Sequence, residues 1–114
     1  MKLFEPGKIG TVTTRNRIMM APMHIGGLVE PDGRMSQRGM DYFIARAKGG
    51  TGLIVTSAHR VTRKNEYEPI VPLGRHLMLD SIIYVSHLNE LADTVHDYGG
   101  KIAAQLTAFL TERR

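Results

Sequence analysis

Lys48-Gly49-Gly50-Thr51-Gly52-Leu53-Ile54-Val55-Thr56-Ser57-Ala58 is the stretch on which the fold turns. Its glycines lead into a continuous apolar and β-branched run, the pattern of a strand buried on both faces in a parallel sheet. A phosphate-binding loop also sets glycines beside a strand, but there the strand comes first and the glycines open a helix. Here the glycines follow a helical segment and open the strand, so they read as a helix stop and a turn.

The same grammar extends outward on both sides. Ser36 is a candidate N-cap for a helix over 37–48, in which Met40, Phe43, Ile44 and Ala47 recur at helical spacing before Gly49-Gly50. Asp80 or Ser81 starts a second helix to about Tyr98, with Ile83, His87, Leu88, Leu91, Val95 and Tyr98 along one stripe and Gly99-Gly100 as its stop. Ile18-Met19-Met20-Ala21, closed by Pro22, and Lys101-Ile102-Ala103-Ala104-Gln105-Leu106 are two more apolar strands. Residues 4–16 read as a β-hairpin, with Pro6-Gly7 as a turn pair. The expected chain is α/β: a hairpin, then parallel strands near 18–21, 52–58 and 101–106 with helices near 37–48 and 80–98. Helix-to-strand joints are tight. Strand-to-helix joints are long: Pro22 to Gly33, with a turn at Pro31-Asp32-Gly33, and His59 to Leu79. That asymmetry belongs to folds whose functional loops gather at the C-terminal strand ends.

Composition narrows the functional classes. The 114 residues are 42% hydrophobic and 23% charged, a globular balance, with a mild net charge of +4. The densest basic stretch, Arg60 to Lys64, is interrupted by Val61 and Thr62 and reads as a solvated loop, so no nucleic-acid partner is expected. The absence of cysteine excludes disulfides, thiolate zinc sites and iron–sulfur ligation in this chain. No metal site is expected, since no histidine pair has the i, i+4 spacing of a helical zinc site; His76, His87 and His96 read as structural or surface residues. The longest apolar run, Ile18 to Met23, is far short of the ~20 residues of a membrane span, and a soluble, cytoplasmic protein is expected.

Pro22-Met23-His24, Ser57-Ala58-His59 and Gln105 each follow or end an apolar strand. In a parallel barrel such ends converge on one mouth, where ligands bind. They offer backbone donors and acceptors beside small residues, plus one neutral amide, a set suited to a flat heterocycle or to plain core packing.

Leu3-Phe4-Glu5-Pro6-Gly7-Lys8-Ile9-Gly10 and Arg15-Asn16-Arg17-Ile18-Met19-Met20-Ala21-Pro22-Met23 resemble the start of NADH:flavin oxidoreductases of the old yellow enzyme family. Residues 52–58 and 100–106 match in the same order. Met23-His24 followed by Gly26 resembles the 2,4-dienoyl-CoA reductase and 2-enoate reductase branch. The resemblance implies the N-terminal portion of a (β/α)₈ TIM barrel: one partial domain over 1–114, with the hairpin at 4–16, βαβαβ at 17–106 and a divergent tail at 109–114. It further implies FMN at the strand ends. Pro22 and Met23 would lie against the isoalloxazine and Ala58 would offer a backbone contact to O4/N3. Gln105 would bond the pyrimidine ring, and His24 would stand near the reactive edge, where relatives vary.

In relatives the electron donor is NAD(P)H and the substrate an enoate, enone or enoyl-CoA with an activated C=C bond. After Ala108 this chain departs from them, reading Phe109-Leu110-Thr111-Glu112-Arg113-Arg114. Strands four to eight are expected to lie outside it, with the proton-donating tyrosine, the substrate-binding pair and the FMN phosphate loops; no catalytic residue is assigned within it. FMN binding by the 114 residues alone is expected to be weak or absent. An exposed inner sheet face, Ile18, Met20, Ile54 and Ile102 or their alternating neighbours, is expected to favour self-association or a complementing chain. Three functions compete: the flavin-facing start of an enoate reductase, a catalytically inactive FMN-binding or assembly module, and a small flavodoxin-type domain. The last needs a phosphate loop after its first strand, for which Pro22 to Gly33 is a poor match.

Overall fold

In the computed structural model, residues 1–61 and 76–108 are described. A 3₁₀ turn at Lys2–Phe4 precedes an antiparallel hairpin of β1 (Gly7–Ile9) and β2 (Val12–Thr14). The hairpin turns at Gly10-Thr11, with Gly10 at φ 59°, rather than at Pro6-Gly7. Next come β3 (Met19–Met20), α1 (Gln37–Lys48), β4 (Leu53–Val55), β5 (His59–Arg60) and β6 (Leu77–Met78). A 3₁₀ turn at Ile82–Tyr84, α2 (Val85–Asp97), β7 (Lys101–Ala103) and β8 (Leu106–Thr107) complete the described chain.

β3, β4 and β7 form one parallel sheet in that order, with Met20, Ile54 and Ile102 in register. β5 is the centre of a second parallel sheet between β6 and β8. The strand expected over 52–58 therefore ends at Val55, with β5 starting only after a break at 56–58, and that expected over 101–106 is two short strands broken at 104–105. Side-chain hydroxyls act at the first break: Thr56 Oγ1 bonds the Ser57 carbonyl at 3.1 Å, and Ser57 Oγ donates to the Met23 carbonyl. The stretch from His59 to Leu79, expected as loop, opens and closes with strands, and Arg60 is a half-buried strand residue rather than part of a solvated loop. Residues 62–75 and the divergent tail 109–114 lie outside the described residues.

α1 has the bounds its sequence predicts. Ser36 Oγ accepts from the Gly39 backbone N–H at 3.1 Å, satisfying one of the open donors of the first turn. Met40, Phe43 and Ala47 are buried, and Gly50 closes the helix at φ 103°, where a side chain would be strained. Gly99 does the same after α2 at φ 83°. The second helix departs from expectation at its start, where Ser81 caps a 3₁₀ turn before α2 begins at Val85. In its stripe Leu91 and Val95 are buried, but Ile83 and Tyr98 are exposed; Tyr84 is buried instead and donates its hydroxyl to the Asp32 carbonyl at 2.7 Å.

The core lies between the helices and one face of the sheets: Phe43, Ala47, Ile54, Leu77, Leu91 and Val95, with Met20 and Ile102 packed against it. Met35 joins the core and Leu28 is buried as well, although both stand in a loop without period. Met20, Ile54 and Ile102 therefore face the helices, so the uncovered face belongs to their alternating neighbours. Met19 there is 56% exposed, and Ala103 is exposed too.

The strand N-termini are tied together by residues just before β3. Arg15 donates from one guanidinium nitrogen to the Ala47 and Thr51 carbonyls, at 2.6 and 3.0 Å, and from the other to the Tyr98 carbonyl. It thus places one cation at the C-terminal ends of both helices, where the peptide dipoles favour it. Asn16 spans the same end, donating to the Gly50 carbonyl at 2.7 Å and accepting from Ile18 N–H at 3.1 Å. Replacing Arg15 with Ala is expected to lower stability in urea unfolding by about 2–4 kcal/mol, since several charge-assisted bonds vanish at once. Arg15→Lys should recover less than half of that, because an ammonium cannot fork to separated carbonyls. An Arg15→Ala chain within about 0.5 kcal/mol of the parent would refute the role.

Candidate functional site

The opposite end of the sheet, at the strand C-termini, gathers the segments singled out from sequence. The Ser57 hydroxyl binds the Met23 carbonyl, which ties the segment after β3 to the end of β4. Thr56 N–H donates to the Ala103 carbonyl at 2.9 Å and His59 N–H to the Gln105 carbonyl at 2.8 Å, which ties β4 and β5 to the end of β7. Pro22 and Ala58 are half-buried, while Met23, His24 and Gln105 are exposed. His24 and Ala58 also line one small cavity with Leu77 and Phe43. The segments carrying the five residues thus meet at one end of the sheet, and the Gln105 side chain is not covered by the helices. Around it stand Ala103 and Ala104, both exposed, which leave the surface flat and its backbone accessible.

His59, which closes the Ser57-Ala58-His59 segment, has another role. Its side chain is 1% exposed, beside a small cavity it shares with Tyr84 and His87 in the helix-packed layer. Its Nδ1 lies 3.3 Å from Thr56 Oγ1. Thr56 Oγ1 also donates to the Ser57 carbonyl at 3.1 Å, so the hydroxyl and the imidazole share that buried turn. Burial holds His59 below the ordinary histidine range, opposed by the Ser57 and Gln105 carbonyls.

Sequence reasoning missed two residues at this end. Arg60 pairs with Met78 in the β5–β6 register, on the strand face opposite the buried His59 and Leu77. His76 precedes Leu77, is half-buried, and sets its ring 5.5 Å from that of His24. The usable signal was alternation: once His59 and Leu77 are known to be buried partners, Arg60 falls on the other face. Among the described residues, no group of three or more acidic or histidine side chains could hold a metal ion, and no helix is long and apolar enough to cross a membrane.

Comparison with known proteins identifies the family and the fold. The profile of the NADH:flavin oxidoreductase / NADH oxidase family matches residues 2–111. The chain belongs to this family. It is 38% identical over 106 residues to a cinnamate reductase of Clostridium sporogenes, an alignment covering 93% of this chain and 16% of that protein. With an NADH oxidase of Thermoanaerobacter brockii it shares 42% over 104 residues, covering 91% of this chain and 15% of the other. The structure of an old yellow enzyme homologue from Zymomonas mobilis superposes with a TM-score of 0.74 at 27% identity, covering 93% of this chain and 28% of that one. The fold is therefore part of a (β/α)₈ barrel, and the chain spans about a sixth of the length of the two sequence relatives.

The state of His59 makes stability depend on pH. A histidine whose folded pKa is depressed binds protons more readily when unfolded, so stability rises with pH between the two values. The contribution is complete above the unfolded value, near 6.5, and is lost as pH falls towards the lower folded value. The urea midpoint is expected to drop as pH is lowered below about 6.5, and His59→Gln should flatten that slope. An unchanged slope in His59→Gln would locate the acid sensitivity elsewhere.

Proposed function

We propose that this chain supplies the flavin-ring face of an FMN-dependent NAD(P)H oxidoreductase that reduces activated C=C bonds of enoate or enoyl-CoA type. The observation that supports it most is the joining of three parallel strand ends through Ser57–Met23, Thr56–Ala103 and His59–Gln105, with small residues and one exposed amide between them. That donor set suits an isoalloxazine: Pro22 and Met23 offer an apolar edge and the backbone around Ala58 offers hydrogen-bonding groups. Gln105 can donate and accept at once. FMN, when bound, supplies the hydride chemistry; these residues orient the ring and shield one side of it. His24 stands beside Met23 and bears on the substrate side. No residue of the chain is assigned proton transfer. The reduction of cinnamate named for the Clostridium relative suggests an unsaturated acid as substrate.

By themselves, the 114 residues act as a weak flavin-binding module with an uncovered sheet face rather than as a working enzyme. Cytoplasmic residence fits this reading, as does association with a chain that completes the barrel. Purified without partners, the chain should bind FMN weakly, oxidise no NADH with an enone, and self-associate through exposed Phe4, Ile9, Met19 and Leu106. Gln105→Ala should weaken the residual flavin binding about three- to tenfold, as loss of one side-chain hydrogen bond implies. Flavin fluorescence, NADH absorbance and light scattering read the three outcomes. A monodisperse yellow monomer that turns over NADH would overturn this account of the isolated chain, and flavin binding indifferent to Gln105 would overturn the site.

A further inference from the structure

The turn at Pro31-Asp32-Gly33 takes no part in the strand-end site, yet it braces two other elements. Gly33 N–H donates to the Glu30 carbonyl at 2.9 Å and Glu30 N–H to the Arg34 carbonyl at 2.7 Å, which closes the turn. Outward, the Tyr84 hydroxyl donates to the Asp32 carbonyl at 2.7 Å, and Met78 N–H of β6 to the Gly33 carbonyl at 2.9 Å. Gly33 is buried at φ 94°, and an added methyl group would stand 2.3 Å from Met78 Cγ, which reserves the position for glycine. Asp32 beside it is exposed, and Arg34 holds both of its carboxylate oxygens. Oδ1 accepts from the Arg34 backbone N–H at 3.0 Å, and Oδ2 lies 3.0 Å from Arg34 Nε.

We propose that Asp32 is a site of spontaneous isoaspartate formation that Arg34 holds in check, and that the change unfastens Tyr84 and β6 from the turn. The residue after Asp32 has no β-carbon, so nothing shields the nitrogen that must attack. In the reaction the Gly33 nitrogen loses its proton and bonds to Asp32 Cγ. One Cγ–O bond breaks, and that oxygen leaves as water with the Gly33 proton and one proton from solvent. Water then adds to either carbonyl of the cyclic imide and the C–N bond there breaks, returning aspartate or giving isoaspartate. No oxidant or further reactant enters. In the folded turn each reacting atom is occupied: Gly33 N–H is bonded to Glu30, and Cγ cannot swing towards it without releasing both oxygens from Arg34. The reaction therefore runs from the locally opened turn. In the product the main chain passes through Cγ, and the former Asp32 carbonyl becomes a free carboxylate outside it. The Tyr84 and Met78 bonds then lose their spacing. None of this depends on the flavin reading.

The test incubates the 114-residue chain at neutral pH in water enriched in heavy oxygen, and reads the label at residue 32 by tandem mass spectrometry. A synthetic peptide of residues 29–36 is the unfolded reference. The folded chain should label about tenfold more slowly than the peptide, and in concentrated urea it should match it. Arg34→Ala should label about threefold faster than the parent with an unchanged far-ultraviolet circular dichroism spectrum. Arg34→Lys, which keeps a cation without the fixed fork, should fall between the two. Asp32→Glu should take up almost no label, because its imide ring is larger and closes slowly. Isomerised chain, resolved by reversed-phase chromatography, should unfold at a lower urea concentration than the parent. The proposal is overturned if the chain takes no label at residue 32 in urea, if the folded chain labels as fast as the peptide, or if both Arg34 variants label at the parent's rate. An unchanged urea midpoint in the isomerised chain would overturn the coupling to Tyr84 and β6.

Discussion

The guanidinium of Arg15, shared among the carbonyls of Ala47, Thr51 and Tyr98, is the constraint on which the rest of the structure depends. These carbonyls stand where α1 and α2 end and their chains turn into β4 and β7, so one side chain fixes both helix exits relative to the start of the sheet. Asn16 adds the Gly50 carbonyl and Ile18 N–H, while Gly52 and Leu53 N–H close onto the Ile18 carbonyl at 3.0 and 3.2 Å. Gly52 is required there for space: a methyl group would sit 2.7 Å from the Asn16 carbonyl oxygen. With the N-terminal ends locked by polar contacts, the C-terminal ends are joined by the Ser57 hydroxyl and by backbone bonds, and the Gln105 side chain stays exposed.

The two faces of the sheet carry opposite consequences. Met20, Ile54 and Ile102 meet the helices; full burial of Ile54 contributes roughly 1.5–3 kcal/mol, and the half-buried Met20 and Ile102 contribute less. Their neighbours Met19 and Ala103, and Leu106 on β8, remain open. In a closed barrel that surface would be interior. Among the described residues it is open, and the edges of a sheet offer backbone groups to which a further strand can pair.

Much of this was legible in the sequence wherever local chemistry decides local structure. Ser36, the spacing of Met40, Phe43 and Ala47, and Gly49-Gly50 fix α1 to the residue. The start of α2 was less legible, because Ser81 caps a 3₁₀ turn and it is Tyr84, not Ile83, that turns inward. The strand breaks at 56–58 and 104–105 were illegible, since they depend on Ser57 reaching Met23, a partner 34 residues away. Arg15 was invisible for a related reason: its partners are backbone carbonyls, which leave no trace in residue identity. At the candidate site Pro22, Met23, His24, Ala58 and Gln105 were proposed through resemblance and strand order, and the structure brings their segments to one end of the sheet. Arg60 and His76 needed the β5–β6 register, which no period over 59–79 betrays.

The central proposal is that this chain offers contacts to a flavin ring rather than to its phosphate. The most direct test compares the affinity of the purified chain for FMN and for riboflavin, which share the ring and differ in the phosphate. Equal affinities, within about threefold, are what this account predicts. FMN binding more than about tenfold tighter than riboflavin, the worth of at least one charge-assisted phosphate bond, would contradict it.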